Sequence, residues 1–279
     1  MKKTKDKKKR ANLLLIIAIV AVVGFGGAFA YYAREYYLWR RDGRVAQENT
    51  DMVMGIFQDR ILDIGELLVM PTQNNDEQEE MVAPAAFTTV PLNEIRELTG
   101  NPDIVAFVFI EGTAINNVVV QGPDNEFYLY RDMYRNLNVN GSIFLDYRNS
   151  PSFNDPNTII YGHNMNNGTM FHNLRYYIRQ GQDFFEQHPR ITVITDTRVL
   201  FYDIFSVFQT NIDFDYIQVD FKEGEFEYLL NEIIRRRAYN TGVMATADDN
   251  ILILSTCTNV TDDTRIVVAA RLAEMVFVR

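Results

Sequence analysis

The feature that most restricts this chain is a stretch of 23 residues without a charge, Ala11 to Ala33 (ANLLLIIAIVAVVGFGGAFAYYA). It is apolar on every face, so a helix that buries one side against a globular core is a poor solution for it. About 20 such residues suffice to cross a bilayer as a helix, where every backbone N–H and C=O must be satisfied internally. Tyr31, Tyr32, Tyr36, Tyr37 and Trp39 follow at its end, the residues favoured at a membrane interface. Residues 1–10 carry seven cations and one anion. A single-pass anchor with a cytoplasmic N-terminus and an extracytoplasmic bulk follows from that charge placement. The competing reading is a cleaved signal peptide ending at the small-residue triplet Ala28–Ala30. The apolar stretch is longer than the ~7–15 residues of a signal peptide's core, which favours the uncleaved anchor.

The formal net charge is −10, from 27 basic and 37 acidic residues; without the first ten residues the balance becomes 20 against 36. An acidic body of this kind argues against a nucleic-acid partner, whose binding rests on neutralising phosphates.

Beyond the anchor, residues 40–68 place Val53, Ile56, Phe57, Ile61, Ile64 and Leu68 at helical steps, predicting a helix before the main domain. Residues 70–91 are polar, acidic and punctuated by proline, the composition of a loop or arm. A short helix is expected over 93–98. From there to the C-terminus, about eight short β-rich runs alternate with turn residues, a count that fits a closed barrel or a sandwich. Two helical interruptions are expected, over 166–189 and over 222–240. In the second, Glu232 and Arg236 stand four apart on the polar side, and the basic run 235–237 reads as a helix end. The resulting organisation is a basic head (1–10), a membrane helix (11–33), a helical and linker region (34–92) and a mainly β domain (93–279).

The chain has one cysteine, Cys257, at the end of the run ILILSTC. Outside the cytoplasm cysteines ordinarily pair as disulfides, so a single one is inert core, an intermolecular bridge or a working thiol. The apolar run pins the strand and leaves Ser255, Thr256 and Cys257 emerging at its end. Arg265 opens the next strand-like run, where a fixed cation can stabilise a thiolate or an oxyanion. Of the three histidines, His163 ends a strand and enters a Gly/Asn-rich turn, a suitable place for a catalytic imidazole. His172 and His188 read as packing or surface residues. One cysteine and three scattered histidines have no metal-ligand spacing, and neither a metal nor another cofactor is expected.

The motifs NPDIVAFVFIEGTAINNVVVQGPDNEFYL, GSIFLDYRN, NTIIYGHNMNNGTMFHNL and LSTCTNVTDDTRIVVAARL occur in this order from about Asn101 onward. In them the chain resembles the sortases, membrane-anchored cysteine transpeptidases of Gram-positive bacteria, and most closely class B. It departs from the usual pattern at Ile253, at Ala106-Phe107 and at Asn116-Asn117. The resemblance implies a closed sortase-type β-barrel of about eight strands, with an N-terminal helical appendage and a helix before the cysteine strand. It places the catalytic residues at His163, Cys257 and Arg265, and substrate-binding roles at Ser255, Thr256 and Thr258. It also implies the reaction: Cys257 attacks a threonine carbonyl in the C-terminal sorting signal of a surface protein and forms a thioester. An amine of a peptidoglycan precursor or a pilin then resolves it. Two other readings fit the composition: a membrane-tethered cysteine protease that releases its acyl group to water, and a non-catalytic surface binding module.

Overall fold

In the computed structural model, the backbone is described for residues 2–68, 91–211, 213–257 and 264–277. Side chains are not described for residues 1–14, 16, 18, 57–90, 212, 257–263 and 278–279. By compactness the chain divides into Met1–Arg44 and Val45–Arg279.

The first helix, α1, runs without interruption from Lys2 to Leu68. It joins the expected basic head, apolar stretch and following helix into one element; no proline interrupts these residues. In the first unit, Leu15, Ile17, Val20, Val23, Phe25 and Phe29 are all exposed. Among the described residues no helix is long and apolar enough to cross a membrane. Residues 11–14, 16 and 18 of the uncharged stretch lie outside those with described side chains, as does the acidic arm.

The second unit is built on eight strands: β1 (Ile104–Phe109), β2 (Asn116–Val120), β3 (Ile143–Leu145), β4 (Asn157–His163), β5 (Arg190–Ile194), β6 (Arg198–Thr210), β7 (Ile251–Cys257) and β8 (Arg265–Phe277). They close in the order β1-β2-β3-β4-β7-β8-β6-β5, with β5 returning to β1. Two pairs are parallel, β2 with β3 and β4 with β7; the others are antiparallel. The sequence left barrel and sandwich open on strand count; the closed ring settles it.

The apolar runs are continuous, not alternating, because both faces of the sheet are covered. Ile251 and Ile253 of β7 join one core cluster with Ile159, Tyr161, Val267 and Ala269. Leu252 and Leu254 join the other with Ile160 and Val268. All four residues of the ILIL run are 0% exposed, so each contributes about 1.5–3 kcal/mol by burial. Helices α2 (Leu92–Thr99) and α5 (Glu225–Arg235) supply Leu92, Ile95, Phe226, Leu229 and Ile233 to the first cluster. Helices α3 (Leu174–Arg179) and α4 (Gln182–Gln187) supply Leu174, Tyr177, Phe184 and Phe185 to the second.

Two expected helices are shorter than the periodicity predicted. The segment 166–189 is a 3-10 turn (Phe171–Asn173) followed by α3 and α4, broken at Gly181, whose φ of 63° and ψ of −133° lie outside the helical region. The expected 222–240 helix ends at Arg235, and the N–H of Ala238 bonds the Val207 carbonyl of β6 at 2.7 Å instead of continuing the helical ladder. Glu232 is 8% exposed, not on a wet face; it pairs with Arg235 at 2.6 Å and with Arg236, whose guanidinium lies 3.9 Å from the Phe214 ring centroid. The basic run is thus partly spent on one buried carboxylate.

Candidate active site

The site begins with the parallel pairing of β4 and β7. Their register runs from Asn157 opposite Ile251 to His163 opposite Cys257, the last residue of each strand. Residues in register on adjacent strands share a face, and alternation puts Tyr161 and Ser255 on that same face two residues deeper. This is the face of the first core cluster, whose apolar packing anchors both strands up to the point where the polar residues emerge.

β8 extends the arrangement. It pairs with β7 from Ile251 opposite Arg271 to Ser255 opposite Val267. The pairing ends there, two residues before Cys257 closes β7 and two residues after Arg265 opens β8, so Cys257 and Arg265 lie at adjoining strand ends. His163, Cys257 and Arg265 therefore form one row at the ends of three neighbouring strands. One guanidinium nitrogen of Arg265 (Nη1) is buried and has no hydrogen-bond partner among the described residues.

His163 is 4% exposed. Its Nε2 lies 2.7 Å from the Leu129 carbonyl oxygen. A carbonyl only accepts, so Nε2 carries the proton, and in the neutral ring Nδ1 is left with a lone pair. Nδ1 is buried and has no partner among the described residues. Burial pushes the imidazole pKa down, and the bond to Leu129 only partly opposes it. Burial therefore favours the neutral ring. At the residue before it, Gly162, an added Cβ would collide with the end of the Ile143 side chain and come within 2.8 Å of the Phe171 ring, so a side chain there forces its neighbours to move.

Ser255 and Thr256 are 1% and 3% exposed. The Ser255 hydroxyl is 2.8 Å from the Tyr216 hydroxyl, and Thr256 Oγ1 accepts the N–H of Ile266 at 2.9 Å. Both hydroxyls are engaged within the protein. Thr258 lies outside the described residues. His172 and His188 are not on the row. His172 Nδ1 is 3.4 Å from Arg175, and His188 Nδ1 bonds the Glu111 carbonyl at 2.8 Å while its ring packs 4.4 Å from that of Phe184. The Leu129 carbonyl was invisible from sequence, because any residue type can supply a backbone acceptor.

A family model described as the sortase domain matches residues 108–273. Sortase B of Listeria monocytogenes is 39% identical over 168 residues, which is 59% of this chain and 67% of the relative. Sortase B of Staphylococcus aureus is 35% identical over 178 residues, 63% of this chain and 72% of the relative. Among solved structures, a Staphylococcus aureus sortase B–substrate complex superposes with a TM-score of 0.64 at 27% identity, covering 88% of this chain and 98% of that one. Sortase B from Listeria monocytogenes gives 0.58 at 36% identity, covering 65% and 99%.

The chain belongs to the sortase family of cysteine transpeptidases. Within that family its relatives place it in class B; the family is one of cell-envelope enzymes that act on sorting-signal substrates and amine nucleophiles.

Proposed function

We propose that His163, Cys257 and Arg265 carry the acyl transfer, and that the substrate is cleaved after threonine in a C-terminal sorting signal. The observation that supports this most is the β4–β7 register, which sets His163 directly opposite Cys257. In the proposed sequence the Cys257 thiolate attacks the threonine carbonyl carbon and forms a C–S bond. The developing oxyanion is held by Arg265 and a backbone N–H near Thr258. The peptide C–N bond breaks, and its amine leaves with a proton from His163, the general acid. The acceptor amine, from a peptidoglycan precursor or a pilin, attacks the thioester, gives up a proton to the imidazole and displaces the thiolate. The neutral resting state of His163 implies that only a minor fraction of the enzyme holds the thiolate–imidazolium pair at any moment.

The same reading includes a single-pass membrane anchor over residues 11–33, with the N-terminus cytoplasmic and the catalytic unit outside. It is supported by the uncharged stretch, by the seven cations before it and by the exposed apolar side chains from Leu15 to Phe29.

The test uses the full chain in detergent with quenched peptides carrying candidate sorting signals, with and without an amine acceptor. Turnover that disappears in Cys257→Ala, with an amide product only when amine is present, is the expected result. Arg265→Ala is expected to lower kcat by about 10²–10³-fold, the usual loss for an oxyanion donor. Acid product alone, whatever the amine, makes the protein a protease; turnover that persists in Cys257→Ala removes Cys257 as the nucleophile, and no turnover of any peptide leaves a binding module.

A further inference from the structure

The carbonyl of Leu129 that orients His163 is a group every residue type carries, so no substitution at position 129 removes it. What can vary is where the carbonyl stands, and two neighbours fix that. Leu129 lies in a 3-10 turn, Phe127–Tyr130, between β2 and β3. The carbonyls on either side of it are taken up by the backbone: that of Tyr128 accepts the N–H of Ser142 and that of Tyr130 the N–H of Asn138, both at 3.0 Å. The middle one receives the imidazole at 2.7 Å.

A turn of four residues is too short to hold such an aim by itself. Tyr128 is 0% exposed, and its side chain runs to the corner between α2 and β1. There its hydroxyl donates to Asp103 Oδ2 at 2.6 Å and accepts from Asn101 Nδ2 at 2.9 Å. Arg135 braces both partners, with Nη2 2.7 Å from the same Asp103 oxygen and Nε donating to Asn101 Oδ1 at 3.1 Å. The Arg135 backbone is left-handed, with φ of 65°, a conformation that a residue other than glycine keeps only where its surroundings impose it. Burial and the bond to Asp103 push the Tyr128 phenol up to about 12, so near neutral pH it remains a donor.

The turn is met from the other side by Gly141, two residues before β3, with φ of 59°. A Cβ added there would collide with the Leu129 carbonyl oxygen and stand 2.8 Å from that of Tyr128. Both are backbone atoms, without a flexible end that could swing away. Space and conformation therefore both call for glycine at this position.

We propose that Tyr128 and Gly141 are positioning residues for the catalytic histidine: Tyr128 ties the 3-10 turn to the α2–β1 corner, Gly141 lets it close on β3, and together they aim the Leu129 carbonyl at Nε2. They act through the imidazole and not on substrate. Their effect is to keep the proton on Nε2 and leave Nδ1 for the reaction, because the bond made by one ring nitrogen decides the state of the other. This inference rests on His163 being the acid–base group of the proposed reaction.

The test uses the full chain in detergent with nitrogen-15-labelled histidine, comparing Tyr128→Phe and Gly141→Ala with the parent. His163 is assigned as the imidazole signal absent in His163→Gln. In the parent its signal is expected to show a protonated Nε2 and a bare Nδ1; in both variants it is expected to become a mixture of the two tautomers. With a cleaved sorting peptide, kcat is expected to fall about tenfold in Tyr128→Phe and about 10²-fold in Gly141→Ala, the cost of a small misplacement, with KM within about twofold. Tyr177→Phe, which loses a buried hydroxyl bonded at 2.6 Å to the His188 carbonyl, is the control for lost stability and is expected to change neither reading. If Tyr128→Phe does not fold, Asp103→Asn weakens the same bond and the same direction of change is expected. An unchanged kcat in the folded variants overturns the proposal, and so does a lower kcat with the parent tautomer retained or an equal loss in Tyr177→Phe. If His163→Gln turns over as fast as the parent, the reaction centre is misassigned and this inference falls with it; if turnover needs His163 and the variants keep their kcat, only the positioning is wrong.

Discussion

Two regions of the catalytic unit hold a histidine in nearly the same way and to different effect. At the end of β4, His163 bonds a backbone carbonyl through one ring nitrogen at 2.7 Å; after α4, His188 does so at 2.8 Å. Both rings lie beside aromatic side chains, Tyr130 in one case and Phe184 in the other. What separates them is the strand register. His163 stands opposite Cys257 on a parallel ladder, with its second nitrogen buried and reserved. His188 closes a short helix and serves packing against Gly112, where an added Cβ would come within 2.8 Å of its ring. A carbonyl bond orients an imidazole; only the ladder sets one opposite a cysteine.

The largest effect that could break this comparison is on turnover. His163→Ala is expected to lower kcat/KM by about 10²–10⁴-fold, the usual contribution of a positioned acid–base group. His188→Ala is expected to leave it within about twofold while costing about 1 kcal/mol of stability for the lost hydrogen bond. Parallel peptide kinetics and thermal melts read both, and equal losses of activity would end the distinction.

A smaller effect joins the two regions. Gly162 lies against Phe171, at the start of the helical segment that ends before His188. Gly162→Ala is expected to destabilise the protein by about 1–3 kcal/mol through overpacking, and to lower activity by shifting His163. A melt shifted by several degrees with kcat unchanged would show that the helical segment yields and the strand end does not.

The smallest effect is on pH dependence. Burial lowers the pKa of both His163 and His172 from an ordinary 6.5, with Arg175 adding to the shift at His172. The unfolded chain therefore takes up protons below about pH 6.5 that the folded protein refuses. Stability is full above that pH and falls as pH drops through the folded values. Thermal melts from pH 7 to 5 should show the decline, and His163→Gln should reduce its slope. A flat profile would mean that His163 is wetter than its 4% exposure indicates.

Much of this was legible in the sequence for identifiable reasons. The ILIL run declared a strand buried on both sides, and the polar residues after it declared the strand's end. Arg265 opens the next strand-like run, and β8, which begins there, pairs with β7. The pairing of β4 with β7 was not legible in the sequence, since parallel strands far apart in sequence leave no turn between them to read. The buried Asp146–Arg148 ion pair was hidden for a related cause. Asp146 and Arg148 stand in the run LDYRN as an ordinary polar strand exit, and their partners at Asn125, Tyr161 and Ile217 are set by barrel closure. Gly181 shows the limit of periodicity in the other direction: the apolar spacing of 166–189 was read correctly as helical, and one backbone conformation divided it.

The parallel β4–β7 ladder has a further consequence for how the enzyme comes into being. Its two strands are separated along the chain by the whole of β5, β6 and α5, so no hairpin or local fragment can bring His163 to Cys257. Contacts of such long sequence separation are slow to form, because the loop entropy is lost before the ladder rewards it. In a chain whose barrel is not yet closed His163 and Cys257 are therefore not yet side by side, and they come together only when nearly all of the barrel is in place.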